Sequence, residues 1–235
     1  MEFERALVTF AHPDDAEFLC GGTVALWVDD GTEVTYVCAT DGSAGWNGPD
    51  LTREEIAAKR EEEMRAVAGL LGVHDVRFLG YRDGMLEPSL DLRRDLTREV
   101  RRVRPDVIVA QDPSRLWSGR TYINHPDHRA VGEAVLAVVA CDAPTRPQFP
   151  ELLDEGFEPF KVRRLWLASD DEGEHVIDIG KTIDRKIEAL VAHQSQMQNM
   201  GDFDADGRVR EWSRESAEGT PYEYAERFRA FEIEV

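Results

Sequence analysis

The chain has little with which to cross-link itself, cradle a nucleotide or enter a bilayer. Its three cysteines, Cys20, Cys38 and Cys141, are odd in number and show no CxxC spacing. That excludes a disulfide framework and reads as reduced packing residues of a cytosolic protein. No run approaches the ~18 apolar residues of a membrane span. The opening MEFERALVTF has no basic stretch followed by a long apolar core, so the expectation is an unexported, cytoplasmic protein. Positive charge is also short: 28 Lys and Arg face 47 Asp and Glu, for a net charge of −19. Phosphate backbones and anionic membrane surfaces are repelled, and neither nucleic acid nor membrane is expected as a partner. No GxGxxG follows the first apolar run, and CGGT falls inside a helical pattern instead, which removes a nucleotide-dependent redox reading.

What is present is alternation. Short β-rich runs take turns with longer helical patterns, as in a parallel sheet built from βαβ units. Strands are predicted over residues 6–11, 33–40, 76–80 and 106–112, and helices over 16–31, 52–73, 91–104 and 125–140. In the second helix Ile56, Met64, Val67, Leu70 and Leu71 repeat at helical spacing behind a Thr52/Glu55 capping box. After a Pro-rich connection from about residue 142, strands are expected over 162–169 and 175–180, and a helix over 182–197. The tail from 201 reads as polar loop with a short helix around Tyr222 to Phe231. No repeat, low-complexity tract or linker divides the chain, and with 235 residues the expectation is one α/β domain. Its core would be about 1–142, with 143–235 completing the sheet and the substrate side.

Chemistry-bearing residues concentrate at two strand-to-helix joins. His12, Pro13, Asp14 and Asp15 follow the first strand, and His125, Asp127 and His128 open a helix shortly after the strand ending near Asp112. In an open parallel sheet both joins lie at the carboxyl edge, where ligands bind. Either His-Pro-Asp tripeptide alone is ordinary helix-capping material. Together they hold three of the six histidines, and two imidazoles with a carboxylate suit a divalent metal such as zinc that keeps a position open for water. Adjacent Asp14 and Asp15 cannot point the same way, so they should have different jobs.

The quoted segments, AHPDDAEFLCGGT and HPDH together with REEEMRAVAGLLGV, LGYRDG and KIEALVAHQSQ, resemble in order the LmbE-like or PIG-L family of zinc-dependent N-acetylglucosaminyl deacetylases. The resemblance implies a Rossmann-like three-layer sandwich with a mostly parallel sheet. It makes His12, Asp15 and His128 the metal ligands, with zinc, Fe2+ or another divalent ion as cofactor. Asp14 becomes the general base, His125 the stabiliser of the oxyanion as a cationic imidazolium, and Asp127 the residue that orients a histidine. Arg60 matches a substrate-contacting arginine, against the simpler reading of a surface ion pair. Asp83 matches a sugar-pocket position, against that of a turn aspartate. His193 matches a recurrent element that packs or caps. Residues 40–46 correspond to a substrate-side loop whose glycines permit close approach, although Ser43 stands where the family often has glutamate. Arg115, Trp117, Arg120 and Tyr122 form a loop that either holds substrate or carries a buried aromatic anchor.

The implied function is removal of an acetyl or other acyl group from an N-acetylglucosamine-type amino sugar or related small conjugate. The alternatives are an amidase of a thiol-sugar, mycothiol-type conjugate, and a metal-bound sugar-binding module without turnover, against which Asp14 argues. The oligomeric state stays open between monomer and homo-oligomer.

Overall fold

A computed structural model describes residues 3–168 and 173–234. Four βα units come first: β1 (Arg5–Phe10), α1 (Asp15–Asp29), β2 (Glu33–Thr40), α2 (Arg53–Leu70), β3 (Asp75–Tyr81), α3 (Leu90–Val103), β4 (Val107–Gln111) and α4 (Pro126–Ala137). Between β4 and α4 a small hairpin pairs β5 (Trp117–Ser118) with β6 (Tyr122–Ile123). The chain continues through a π-helical turn (Val138–Asp142) to α5 (Glu151–Asp154), β7 (Arg164–Ala168) and β8 (His175–Asp178). It ends with α6 (Ile183–Val191), α7 (Gln194–Asn199), α8 (Ala205–Ser216) and β9 (Ala225–Glu232).

The seven-stranded sheet runs β3-β2-β1-β4-β7-β9-β8. The pairs β3/β2, β2/β1, β1/β4 and β4/β7 are parallel, and β9 is antiparallel to both its neighbours. Strand period two splits β1 between the layers. Ala6, Val8 and Phe10 join the core with α1, α2 and α6, whereas Leu7 faces that with α3 and α4. This is the expected three-layer, mostly parallel architecture. The strand order reverses at β1, whose neighbours are β2 and β4, so the crevice beyond the ends of β1 and β4 is the natural ligand site.

Two expectations fail in the tail. Residues 222–231, predicted as a helix, belong mainly to β9, and the predicted loop before them holds α8, capped where Asp204 accepts from Gly207 N at 3.0 Å. The strand takes its bonds on both edges from β7 and β8, far back in the chain, and buries Phe228 completely. Local propensity cannot register partners at that distance. The helix predicted over 182–197 is also two, α6 and α7, broken around His193. The predicted strand 162–169 is shorter as β7, and residue 169 lies outside the described residues. Cys20 and Cys38 are buried as packing residues, but Cys141 is exposed in the π-helical turn. Among the described residues no helix is long and apolar enough to cross a membrane.

Helix α1 is not continuous. Cys20 leaves helical geometry (φ −153°, ψ 21°), and the interrupted ladder is mended from the other end of the chain. Gly22 N and Thr23 N donate to Glu226 at 2.9 and 2.8 Å, and the Thr23 hydroxyl also donates to it. The Phe18 carbonyl accepts from Lys186 Nζ at 3.0 Å, and Lys186 pairs with Glu226 at 2.6 Å. Both charged residues are buried. Gly22 also makes room for Ile179, since a Cβ there would sit 2.8 Å from that side chain.

Because the pair satisfies buried backbone groups as well as itself, Glu226→Ala should destabilise the fold by about 3–5 kcal/mol. Glu226→Gln, which keeps one of the two acceptor oxygens, should cost less than alanine. Urea unfolding measures both, and a loss below about 1 kcal/mol for alanine, the range of exposed pairs, would show that the splint is dispensable.

Candidate active site

The turn after β1 and the helix after β4 meet at His12 and His128. His12 Nδ1 lies 3.1 Å from His128 Nε2 and 3.4 Å from Asp15 Oδ2, and His128 Nε2 lies 3.1 Å from Asp15 Oδ1. The surrounding hydrogen bonds fix what these atoms can do. Asn124 Nδ2 donates to Arg115 O at 2.8 Å, so its Oδ1 faces His128 Nδ1 at 3.0 Å and takes the ring proton there. On the other ring, His12 Nε2 faces Asp127 Oδ2 at 3.3 Å and Asp83 Oδ1 at 3.2 Å and must carry hydrogen. In their neutral forms His12 Nδ1 and His128 Nε2 are therefore both lone pairs aimed at one another and at a carboxylate. Such a donor set fits a divalent cation and is otherwise met only by added protons.

Asp15 is held by one oxygen and left open by the other. Its Oδ2 accepts from His12 N at 2.7 Å and from Gln111 Nε2 at 3.1 Å, while Gln111 Oε1 accepts from Ala11 N at 3.1 Å. Compact enough for an ion are His12, His125 and His128, and a second grouping of His12, Asp83, His125 and Asp127. Its carboxylates are already occupied, however: Asp127 accepts from Gly84 N at 2.7 Å and Leu86 N at 3.2 Å, and Asp83 from Ala44 N at 2.9 Å. On the His12, Asp15 and His128 side the facing nitrogens and Asp15 Oδ1 carry no backbone bond.

The two adjacent aspartates do diverge. Asp14 sits at the N-cap of α1 with φ 143°, a conformation rare for any residue but glycine, and its side chain makes no capping bond. Its carboxylate instead lies 3.2 Å from Arg60 Nη2. Burial raises the pKa of Asp14, with Arg60 opposing and the charge of Asp15 adding to the rise. At Asp15 burial also pushes upward, but His128 and His12 outweigh it and hold the carboxyl well below its ordinary value. For His12, burial is outweighed by the charge of Asp15 and by hydrogen bonds to Asp127, Asp15 and Asp83, and its pKa stands well above the usual one. Opposed shifts in neighbouring groups are the pattern of divided acid and base roles.

His125 caps α4. Its Nδ1 accepts from Asp127 N at 3.2 Å, which leaves Nε2 as the ring's donor. Burial, then the nearby His12, lowers its pKa, which disfavours the cationic ring implied by the resemblance. Arg60 is 3% exposed rather than a surface arginine. It donates to Pro13 O at 2.7 Å and Gly42 O at 2.9 Å, and Gly45 leaves the room it needs, because a Cβ there would collide with the guanidinium. His193 is buried against Glu17 at 3.0 Å. Arg115 and Tyr122 line the cavity, but Trp117 is 66% exposed and is no buried anchor.

A cavity of about 880 Å³ opens over His12, Asp14, Asp15, Asp83, His125 and His128. The family described as PIG-L, GlcNAc-PI de-N-acetylase, matches residues 7–139, more than half of the chain and the part that carries all of these groups. The chain belongs to this family. It is 34% identical over 208 residues to a probable N-acetyl-alpha-D-glucosaminyl L-malate deacetylase 2 of Bacillus anthracis, covering 83% of each chain. To the diacetylchitobiose deacetylase of Thermococcus kodakarensis it is 29% identical, over 83% of this chain and 71% of that one. The solved N,N'-diacetylchitobiose deacetylase from Pyrococcus horikoshii superposes with a TM-score of 0.90 at 31% identity, covering 98% of this chain and 84% of that one. The PIG-L architecture thus accounts for the LmbE-like fold expected from the motifs.

Within this PIG-L site, sequence reasoning overlooked Asn124 and Gln111, which set the tautomer of one histidine and the orientation of Asp15. The only local signal was position, one immediately before HPDH and the other at the end of a predicted strand. Outer partners of this kind tune metal affinity, so if His128 is a ligand Asn124→Ala should weaken binding of a divalent metal about 10- to 100-fold. Chelator competition measures it, and unchanged affinity would separate His128 from the metal.

Proposed function

We propose that the protein removes the acyl group, in the first instance acetyl, from the nitrogen of an N-acetylglucosamine-type amino sugar or a small conjugate of one. The observation that carries this reading is the meeting of two imidazole lone pairs and Asp15 under the same cavity as the strained, uncapped Asp14. His12, Asp15 and His128 would hold the metal. We assign zinc, Fe2+ being the other ion that this donor set suits. When bound there, such an ion supplies Lewis acidity toward the amide carbonyl and the attacking water.

The chain's own groups would do the rest. Asp14, positioned by Arg60, accepts the proton of the attacking water and passes it to the departing amine nitrogen. His125 donates Nε2–H to the oxygen that gains charge as the carbonyl carbon becomes tetrahedral. Asp127 keeps hydrogen on His12 Nε2 and so directs Nδ1 to the metal. Arg60 and Asp83 remain on the substrate side in this reading, since both line the cavity. We also read residues 1–235 as one domain, because β7, β9 and β8 extend the sheet begun by the first half of the chain.

Asp14→Asn should lower kcat for acetate release from N-acetylglucosamine conjugates by about 10²- to 10⁴-fold, with bound metal unchanged. His128→Ala should lose the metal itself. Elemental analysis with an amine-release assay reads both. Retained turnover in Asp14→Asn would overturn the base assignment, and a metal-loaded wild type inert on a broad N-acyl panel would overturn the hydrolase.

A further inference from the structure

At the end of the sheet opposite the catalytic groups the chain gathers positive charge. Arg5 opens β1, Arg164 opens β7, and Arg104 caps the end of α3 just before β4. These positions are neighbours because β1, β4 and β7 lie side by side and run parallel. With Lys161 and Arg163 they line a cavity of about 350 Å³, a volume at the lower end of the range for small-ligand pockets. Five cations around one small concavity repel one another unless a counter-charge joins them.

The protein supplies little of that counter-charge. Elsewhere in this acidic chain arginines hold carboxylates, as Arg65, Arg93, Arg98 and Arg102 each do at 2.7 or 2.8 Å. At this cavity Arg164 alone does so, with Glu232 at 2.7 Å. Asp106 is the one carboxylate in the lining, and its Oδ2 accepts the N–H groups of Glu4 and Arg5 at 2.8 and 2.9 Å. Arg5 Nε donates to Arg104 O at 3.1 Å, and the Arg104 guanidinium lies 4.7 Å from the centre of the Phe160 ring. Among the described residues Arg5, Arg104, Lys161 and Arg163 have no carboxylate partner.

The wall that carries these charges is held in shape. Phe160 N donates to Ala143 O at 2.9 Å, and Arg163 O accepts from Ile233 N at 2.8 Å. Between them Val162 is buried in the α3/α4 core, and its neighbours Lys161 and Arg163 are left exposed. Arg104 has φ 54°, the left-handed conformation that glycine usually takes at a helix C-terminus. A long cationic side chain thus stands where the backbone favours none.

We propose that this cavity binds a compact phosphate polyanion, a pyrophosphate group either free or carried by a nucleotide, at a site separate from the catalytic one. Guanidinium forks match phosphate oxygens in pairs, and four unpaired cations suit a group carrying three or four negative charges. The net charge of −19 repels long polyanions, so only a ligand small enough to sit within the basic concavity gains from it. β1 spans six residues, which places the cavity about 20 Å from His12 and Asp15.

Calorimetric titration of pyrophosphate into the full chain tests the site. The wild type should bind with a Kd below about 1 mM, and more weakly as salt is raised. The double variant Lys161→Gln/Arg163→Gln should lose about tenfold or more in affinity for each cation removed. Arg104→Gly should lose about tenfold with the fold intact, because glycine suits the left-handed backbone there. Acetate release from an N-acetylglucosamine conjugate should be unchanged in these variants, since none of the three residues lines the catalytic cavity. His128→Ala, titrated in parallel, separates binding at a divalent ion from binding here. Binding lost in His128→Ala but fully retained in the double variant overturns the proposal, as does no binding by the wild type at about 1 mM. ADP and citrate are the comparison ligands. ADP binding more tightly than pyrophosphate assigns a nucleotide, and ADP binding no more tightly assigns the free ion. Citrate binding as tightly as pyrophosphate overturns the choice of phosphate. A change of assembly state in the double variant without any anion, read by sedimentation, would make the patch an interface and overturn the ligand site.

Discussion

The buried pair Lys186–Glu226 ties the two ends of the chain into one site. Helix α1 must bring Asp14 and Asp15 to the mouth of the sheet and also pack flat against β1, and it does both by breaking at Cys20. A broken helix leaves backbone donors and acceptors bare, which a buried location does not permit without partners. Glu226 takes the N–H groups of Gly22 and Thr23, and Lys186 gives its ammonium to the Phe18 carbonyl. The first turn of α1, with every group it carries, is held in place by residues more than 160 positions away.

That turn feeds a site dominated by negative charge. Asp14, Asp15, Asp83 and Asp127 surround His12, with Arg60 as the buried cation among them. Each carboxylate has a distinct set of partners. Asp127 and Asp83 take backbone N–H groups from neighbouring loops, Asp15 is braced by Gln111, and Asp14 has the Arg60 contact in place of a cap. The anchored oxygens are fixed in orientation by those bonds, and the Asp14 carboxylate, without a backbone donor, is held by Arg60 instead.

Much of this was legible in the amino-acid order. Alternating strand and helix patterns locate β1 to β4 and α1 to α4 within a few residues, because each element is largely built from its own apolar period. Two His-Pro-Asp runs at strand ends mark the His/Asp cluster able to hold a metal, because a parallel sheet sends all such ends to one edge. The tail was misread for the opposite reason. β9 exists through bonds to β7 and β8, and the polar residues of α8 are helical because Val209 packs on α6.

By itself the sequence determined which groups could do chemistry and on which edge of the sheet they would stand, since both are consequences of local pattern and chain direction. Tertiary structure alone decided their states. Asn124 and Gln111 became the residues that orient His128 and Asp15, Arg60 became a buried clamp, and α8 brought Trp212 to the cavity. Tautomer, pKa and cavity shape arise from which distant groups come within hydrogen-bond or packing distance, and linear order does not carry that information.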